Sequence, residues 1–402
     1  SRRVRALRSG PSVSGAHLAR ALLRAYGRGA LASMPESVIK EHIRALTPYL
    51  PPLEGRNPDK YILLDFNERT VPVPPHVTDA LKKYIDEGGL QRYPNYGDMN
   101  ERIAKYAGVR TEECMFVNGS DQGIDLIVRC CCEKGSEVVI PAPTFAMYEQ
   151  AAESEGLVIR RPHFTRVGGF PLEGVLSVLG PKTSLVVLSN PNNPTGTPIS
   201  RADILAVARR APHAAIMVDE CYYEFMGPEE SVKGDIVDLP NLFVVRTFSK
   251  TWGIPSLRLG YVLSAEHNIR ALCCVRGPYD VNQLAGVALR AALDNRQYVW
   301  DFVDEVNKGA KPKFEDFLRR RGVVFWPSSA NFIFCYFPDP VELEKGIRSR
   351  GILVRPKKDA DGVLGLRVTI GTVAQMDALI KALEELLPED GNGEPVAKRL
   401  KL

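Results

Sequence analysis

The chain has 402 residues, enough for one large domain and a smaller one, and its 45% hydrophobic and 25% charged residues are typical of a globular protein. The formal net charge of +4 is small for this length and gives no argument for a nucleic-acid partner. No apolar run approaches the roughly 18 residues needed to cross a bilayer, so we predict a soluble protein without a membrane contact.

The eight cysteines and six histidines show neither CxxC nor HExxH spacing. We therefore predict no metal site and no disulfide framework. The run Cys130–Cys132 lies in an apolar helical pattern, and we interpret it as reduced core thiols in a reducing intracellular compartment.

The two ends of the chain are basic. Before Glu36 there are seven arginines and no acidic residue, and residues 18–26 have the pattern of an amphipathic basic helix. Residues 1–33 are therefore either a transit segment, which would send the protein to a plastid or the mitochondrial matrix, or upstream sequence ahead of a start at Met34 in a cytoplasmic protein. Residues 389–402 are predicted to be a solvated tail.

Prolines divide the next region, and we predict an extended N-terminal arm over residues 34–66. From about residue 112, short β-branched runs alternate with longer helical patterns, which is typical of a mostly parallel sheet flanked by helices, an α/β fold. Four runs are continuously apolar, as expected of strands that helices cover on both faces. They are Val138–Ile140, Leu185–Leu188, Ile216–Val218 and Leu242–Val245.

Each of these runs is followed by polar residues, glycine or proline. Because ligands bind at the carboxyl ends of the strands in such sheets, we expect one shared site there. We assign residues 67–280 to a large domain. Residues 281–388 form a smaller α+β domain, with predicted helices over 283–294, 297–321 and 374–387 and predicted strands over 331–336 and 366–370.

Lys250 follows the last of the four runs. A lysine becomes a covalent catalyst by forming a Schiff base with a carbonyl compound, provided that its surroundings lower its pKa, although most lysines after strands are simply solvated. Asp219 ends the preceding run, where a buried carboxylate needs a partner. A pyridinium nitrogen is a suitable partner, and the alternative is a helix N-cap.

Three residues are candidates for contacts with the oxygen and the face of the same ring. Tyr222 and Asn193, the latter in the turn Asn190–Gly196, are candidates to bond the ring oxygen, and Phe145 is a candidate to stack on the ring. The alternatives are core packing for the two aromatic residues and an ordinary turn for the asparagine.

A phosphate site is predicted at the start of the helical run over 122–132. Gly119, Ser120 and Asp121 present free backbone N–H groups at a helix N-terminus, which favours phosphate, although any capped helix begins in this way. The candidates to complete the site are Thr247, Ser249 and Arg258, the last because a guanidinium binds phosphate in a bidentate manner.

In their order and spacing, these motifs resemble the fold-type I aminotransferases of class I and II over about residues 36–388. The resemblance is carried by residues 190–196, 219–223, 249–261 and 367–371. It implies an enzyme with pyridoxal 5'-phosphate as cofactor, held covalently by Lys250, with Asp219 and Tyr222 as further catalytic residues. It also implies an amino donor and a 2-oxo acid as substrates.

Within this family the chain looks most like the histidinol-phosphate aminotransferases, which convert histidinol phosphate and 2-oxoglutarate to imidazole acetol phosphate and glutamate in histidine biosynthesis. The segments that carry this resemblance are residues 46–49, 92–94, 277–282, 351–356 and 366–371. Arg367 would then bind the substrate carboxylate or its equivalent, and Arg355 and Tyr49 would meet a distal phosphate. Tyr93 would reach the cofactor phosphate of a neighbouring subunit, which implies a homodimer with shared sites.

The sequence departs from this family at a few positions, and other functions stay open. Arg69 stands where the family has asparagine, and we expect it to alter the substrate mouth; Phe145 replaces a common tyrosine, and Pro255-Ser256 replaces the commoner Ala-Gly. An aminotransferase for aromatic or other donors, or a decarboxylase for phosphate-bearing amino acids, would use the same scaffold. A non-enzymatic regulator is disfavoured by Lys250, and a surface ion pair is the alternative reading of Arg355.

Overall fold

The computed structural model of the protein describes residues 38–388, and the chain divides into two compact units between Asp59 and Lys60. In the first unit, the described residues 38–59 carry one helical turn, α1 (Glu41–Arg44), within an otherwise extended and largely exposed segment. The predicted basic extension and the predicted tail lie outside the described residues.

The second unit alternates strands and helices. Its strands are β1 (Ile62–Leu63), β2 (Cys114–Val117), β3 (Glu137–Val139), β4 (Val158–Arg160), β5 (Thr183–Ser189), β6 (Ala215–Asp219), β7 (Leu242–Thr247), β8 (Gly260–Ser264), β9 (Val324–Phe325), β10 (Phe332–Tyr336), β11 (Ile352–Leu353), β12 (Arg355–Lys358) and β13 (Leu364–Thr369). Its helices are α2 (Pro75–Asp86), α3 (Met99–Ala107), α4 (Gly119–Cys131), α5 (Ala146–Ser154), α6 (Leu172–Val178), α7 (Arg201–Arg210), α8 (Tyr223–Met226), α9 (Glu266–Val275), α10 (Gln283–Asp294), α11 (Gln297–Asp304), α12 (Lys311–Arg320), α13 (Pro340–Ser349) and α14 (Val373–Leu386).

The central sheet has seven strands in the order β2-β8-β7-β6-β5-β3-β4. All neighbours pair in parallel except those of β8, which is antiparallel to both β7 and β2. The four predicted apolar runs are β3, β5, β6 and β7, and every residue of β6 and β7 is buried, as expected of strands with helices on both faces. The predicted α/β fold with a mostly parallel sheet is confirmed.

A second sheet has the antiparallel order β12-β13-β10-β9. Its two faces pack differently. Ile333 and Leu366 belong to a hydrophobic cluster with α12 and α14, whereas Phe334 and Tyr336 belong to the core cluster that includes β5, β6 and β7. The side chains of one face of this sheet are therefore directed at the central sheet.

Two local predictions need correction. The helix predicted over 297–321 is divided into α11, a π-helical segment (Glu305–Ala310) with i→i+5 hydrogen bonds, and α12, whose first turn contains Pro312, a residue without a backbone N–H to continue the α-helical pattern. Of the predicted core thiols, Cys130 is exposed at the end of α4 and Cys131 and Cys132 are partly buried, because the buried residues of this helix, such as Ile124 and Ile127, lie in its earlier turns. Along the described part of the chain, the structure contains no helix with the length and apolarity of a membrane span.

Candidate active site

The candidate site lies at the carboxyl ends of β5, β6 and β7. These strands pair in parallel, with Ser189 opposite Asp219 and Asp219 opposite Val245. Three of the predicted site residues, Asn193, Asp219 and Lys250, follow or end these strands in order. The topology therefore brings together Asn193 and Lys250, which are 57 positions apart in the chain.

Asp219 is buried, with an exposed fraction of 5%. Its Oδ2 accepts a hydrogen bond from the hydroxyl of Tyr148 at 2.6 Å, and its Oδ1 accepts one from the backbone N–H of Cys221 at 2.9 Å. Burial raises the pKa of the Asp219 carboxyl above its ordinary value, and these hydrogen bonds counteract that rise. A cationic partner at this carboxylate would favour its charged form.

Tyr148 is a functional candidate that the sequence analysis missed. It is buried on α5, three residues after Phe145, and its ring lies 5.6 Å from that of Phe145 in an edge-to-face arrangement. Residues three apart share one face of a helix, so the position of Phe145 was the available signal.

Tyr222 and Asn193, the two residues predicted to bond the ring oxygen, are in contact with each other. The Tyr222 hydroxyl accepts hydrogen bonds from Nδ2 of Asn193 at 3.4 Å and from Nδ2 of Asn67 at 3.1 Å. Asn67 is buried and has a φ of 55°, in the left-handed region that asparagine adopts more readily than most residues. Asn67 is a second residue that the sequence analysis did not place in the site.

Lys250 is half-buried beside this group. Its Nζ donates a hydrogen bond to the carbonyl oxygen of Phe66 at 3.2 Å and lies 5.7 Å from the centre of the Tyr222 ring. The lysine, three residues after the end of β7, therefore lies on the same side of the site as Asn67.

The start of α4 approaches β8 closely. A Cβ at Gly260 would lie 2.7 Å from the backbone nitrogen of Ser120, and a Cβ at Gly119 would lie 2.5 Å from Nη2 of Arg258. The N-cap of α4, Asn118, makes no side-chain capping bond. The backbone N–H groups of this first turn are thus accessible to a ligand rather than to a capping side chain.

The polar side chains around this turn form a small network. The Arg258 guanidinium pairs with the Asp121 carboxylate at 3.0 Å, and the Thr247 hydroxyl donates to the Ser249 hydroxyl at 3.0 Å. The Asp121 carboxylate is paired with Arg258, so an anion at this turn would be bound by the backbone N–H of Asp121 and not by its side chain. Apart from Tyr93, which is predicted to serve a neighbouring subunit, the predicted phosphate ligands lie around one end of α4.

These residues fit a pyridine ring that bears a phosphate. Asp219 is a buried carboxylate that a cationic ring nitrogen would neutralise. Asn193 and Tyr222 are hydrogen-bonded to each other, and the Lys250 amine lies near Tyr222 and bonds the carbonyl oxygen of Phe66. The cradle at the start of α4 has glycine where a side chain would fill it. Lys250 could hold the cofactor covalently, Asp219 its ring nitrogen, and Ser120, Ser249 and Arg258 its phosphate.

Two predicted substrate arginines lie on the sheet face that is directed at this site. Arg367 donates from Nη1 to Oδ1 of Asn193 and from Nη2 to the carbonyl oxygen of Asp65, each at 2.7 Å. Arg355 is directly opposite Arg367 in the pairing of β12 with β13, and its guanidinium lies 5.1 Å from the centre of the Phe66 ring. Both arginines thus contact residues that also contact Lys250 or Tyr222.

Tyr93 is not brought into this group. Tyr93 is 78% exposed and stacks on Tyr279 with ring centres 4.6 Å apart. Tyr49 lies in the first unit, with 37% exposure. Their roles stay predictions.

Arg69 does not face an open substrate mouth. Its Nη1 donates to the carbonyl oxygens of Thr251 at 3.2 Å and Tyr298 at 3.3 Å, and the guanidinium lies 4.4 Å from the centre of the Phe302 ring. Burial lowers the pKa of Arg69. The side chain instead links the residue after Lys250 to α11, because carbonyl and aromatic partners stabilise a buried guanidinium there.

Known proteins resemble this chain in sequence along most of its length. The sequence model of the family described as "Aminotransferase class I and II" matches residues 59–383. A histidinol-phosphate aminotransferase from Bacillus subtilis (strain 168) is 32% identical over 361 residues, which are 87% of this chain and 99% of the relative.

Solved structures share the fold. A histidinol-phosphate aminotransferase from Sinorhizobium meliloti, in complex with pyridoxal-5'-phosphate, has a TM-score of 0.76 and 23% identity and covers 88% of this chain and 99% of its own. An L-threonine-O-3-phosphate decarboxylase from Porphyromonas gingivalis has a TM-score of 0.69 and 24% identity, covering 81% and 99%. At these identities the structural likeness shows the fold.

Proposed function

We propose that this chain, which belongs to the aminotransferase class I and II family and is a pyridoxal-phosphate-dependent aminotransferase, transfers the amino group of histidinol phosphate to 2-oxoglutarate. The products would be imidazole acetol phosphate and glutamate, in histidine biosynthesis. The observation that carries the proposal is the direct pairing of Arg355 with Arg367 on the face that contacts Asn193. Two guanidinium groups on one face of a sheet concentrate positive charge and N–H donors, an arrangement that favours binding of an anionic group of the substrate.

The relatives support the same substrate. The Bacillus subtilis protein that shares 32% of its residues with this chain is a histidinol-phosphate aminotransferase. Histidinol phosphate carries a phosphate on the carbon next to the one that bears the amine, whereas glutamate carries a carboxylate there. One pair of arginines can serve both anions in turn, because a guanidinium binds either group with parallel N–H donors.

The roles of the remaining residues follow from their chemistry. The bound cofactor supplies an electron sink for the electron pair of the α-carbon. Lys250 Nζ would carry the proton that leaves this carbon, which requires a neutral amine in a sheltered position. Asp219 would hold a positive charge at its buried carboxylate, and Asn193 and Tyr222 would orient the ring through its oxygen.

A substrate panel tests the proposal. The holoenzyme is given 2-oxoglutarate with histidinol phosphate, phenylalanine, leucine or phosphothreonine, and glutamate and carbon dioxide are both measured. We expect glutamate formation to be fastest with histidinol phosphate and no carbon dioxide to be released. Faster turnover of an unphosphorylated donor would refute the substrate, and carbon dioxide from phosphothreonine would indicate a decarboxylase.

The covalent role of Lys250 is tested separately. Borohydride treatment of the holoenzyme should fix the cofactor to one peptide, and that peptide should contain Lys250. Lys250→Ala should abolish turnover while keeping measurable cofactor affinity, because the phosphate cradle at α4 is unchanged. Fixation to any other peptide would disprove the assignment.

A further inference from the structure

A third cation shares the face of Arg355 and Arg367. Lys357 follows Arg355 by two residues on β12, so both side chains are on one side of the sheet. In the pairing with β13, Lys357 is directly opposite Gly365 and diagonal to Arg367. Diagonal neighbours in an antiparallel pair are about 7–8 Å apart, within reach of long side chains.

Among the residues that the structure describes, none is an anionic partner of Lys357. The ammonium makes neither a hydrogen bond nor an ion pair with any residue between 38 and 388, and the residue is only partly exposed. Burial, followed by the charges of Arg367 and Arg355, lowers the pKa of the Lys357 ammonium to about 8. A half-buried lysine beside two arginines is unfavourable in the absence of an anion.

The strand that carries Lys357 is held in place. The hairpin from β12 to β13 turns at Asp359, which accepts hydrogen bonds from the Tyr336 hydroxyl at 2.7 Å and from the backbone N–H of Val363 at 2.8 Å. Gly365, opposite Lys357, has no side chain, and the Phe334 ring packs against it, 2.8 Å from where a Cβ would lie. The ammonium is therefore presented from a fixed strand rather than from a loop, as a preorganised binding group is.

We propose that Lys357 is a specificity-determining residue that supplies a third positive charge to the phosphate of the amino donor, beside Arg355 and Arg367. The inference rests on the proposed function and deepens it, because it ties the preference for a phosphorylated donor to one residue. Phosphate carries close to two negative charges, and a carboxylate carries one. Three cations therefore favour histidinol phosphate over glutamate more strongly than the two arginines alone would.

The test compares three variants of the holoenzyme. Lys357→Met keeps the length of the side chain and removes its charge, and Lys357→Arg keeps the charge. Lys358→Met is the matched control, because Lys358 is the next residue, exposed, and on the opposite side of the strand. Three quantities are measured for the parent and for each variant: kcat/KM with histidinol phosphate, the rate of the half-reaction with glutamate, and the inhibition constant of inorganic phosphate.

We expect Lys357→Met to lower kcat/KM for histidinol phosphate and to weaken phosphate inhibition by about ten- to a hundredfold, the effect of one hydrogen bond to a charged group. The glutamate half-reaction should change by less than about threefold. Lys357→Arg should retain most of the parent activity, and Lys358→Met should match the parent. Equal losses with both donors, or unchanged values with histidinol phosphate and inorganic phosphate, would overturn the inference.

A pH profile separates a direct charge effect from a structural one. Lys357 is charged below about pH 8 and neutral above it. In the parent, kcat/KM for histidinol phosphate should therefore fall as the pH rises through that value, and Lys357→Met should lack this step. The other ionisable groups on this face are Arg355, Arg367, Tyr336 and Asp359. The Asp359 carboxylate accepts a hydrogen bond from the Tyr336 hydroxyl, burial raises the pKa of Tyr336, and the charge of Arg166 also acts on Tyr336. A step that persists in Lys357→Met would contradict the assignment.

The two proposals fail in different ways. If the parent does not prefer histidinol phosphate but Lys357→Met still weakens inhibition by inorganic phosphate, the proposed substrate is wrong and the anion-binding role of Lys357 holds. If the parent prefers histidinol phosphate and Lys357→Met does so equally, the proposed function holds and the role of Lys357 is wrong.

Discussion

At the scale of single residues, the buried carboxylate of Asp219 can be tested by a substitution that removes only its charge. Asp219→Asn keeps the shape of the side chain and removes its charge, so the cation that we assign to it would lose its counter-ion. One buried charge-assisted hydrogen bond is worth about 1.5–3 kcal/mol, or roughly a hundredfold in rate at the upper end. Single-turnover rates should show this loss, while the exposed control Asp316→Asn should not. A rate within about threefold of the parent would exclude the role.

Tyr148 acts through Asp219 in our interpretation, as a positioning residue. Tyr148→Phe removes the hydroxyl that donates to Oδ2 of Asp219 at 2.6 Å and leaves the ring in its packed position. We expect a rate loss of about tenfold, smaller than that of Asp219→Asn. The informative measurement is a double-mutant cycle. If Tyr148 works only through Asp219, the double variant is no slower than Asp219→Asn, and additive losses would show an independent role.

At the scale of elements, the close approach of β8 to the start of α4 makes the phosphate cradle. Gly260→Ala would put a Cβ 2.7 Å from the backbone nitrogen of Ser120, so the strand and the helix must separate. Such overpacking costs about 1–3 kcal/mol. Titration of the apoenzyme with pyridoxal phosphate should show an affinity at least about tenfold lower. Gly234→Ala is the control, because nothing lies within 4 Å of its Cβ, and equal affinity in both variants would contradict this account of the cradle.

The elements that could be predicted from the sequence are those whose ends and apolar pattern are both visible in neighbouring residues. The helix predicted over 283–294 is α10 (Gln283–Asp294), because Asn282 caps it and its apolar positions follow a helical period. The strand β8 was missed. This strand is as apolar as its neighbours, but it follows β7 after a short segment and runs antiparallel to it. The local sequence does not indicate the direction in which a strand pairs.

The site could be predicted where one strand end supplies one residue. Lys250, Asp219 and Asn193 were found in this way, from apolar runs followed by polar residues. Asn67 and Lys357 were not found, because their surroundings come from distant parts of the chain: the backbone N–H of Asn67 donates to Thr369 Oγ1, 302 residues away. Among the described residues, Lys357 is partly buried without an anionic partner, and this is a property of the folded sheet that its sequence does not display.

At the scale of the whole molecule, the sites are proposed to be shared within a homodimer. Tyr93 and Tyr279 form an exposed stacked pair, with 78% and 55% of their surfaces accessible. Exposed aromatic pairs are unusual on a monomer and common in interfaces between subunits. The resemblance to the family assigns Tyr93 to the cofactor phosphate of the neighbouring subunit. A shared site of this kind makes one polypeptide depend on residues of another.

Hybrid dimers test this dependence directly. Lys250→Ala and Tyr93→Ala homodimers should each be defective, the first without its attachment residue and the second with weaker cofactor binding. In a hybrid of the two, one site combines the Lys250 of one subunit with the Tyr93 of the other and is intact, while the second site has lost both residues. Co-expressed and separately tagged subunits should therefore recover about half of the parent activity per dimer, well above either homodimer, if sites act independently. If Tyr93 instead serves the site of its own subunit, every site in the hybrid carries one of the two defects, and the activity stays at the mean of the two homodimers.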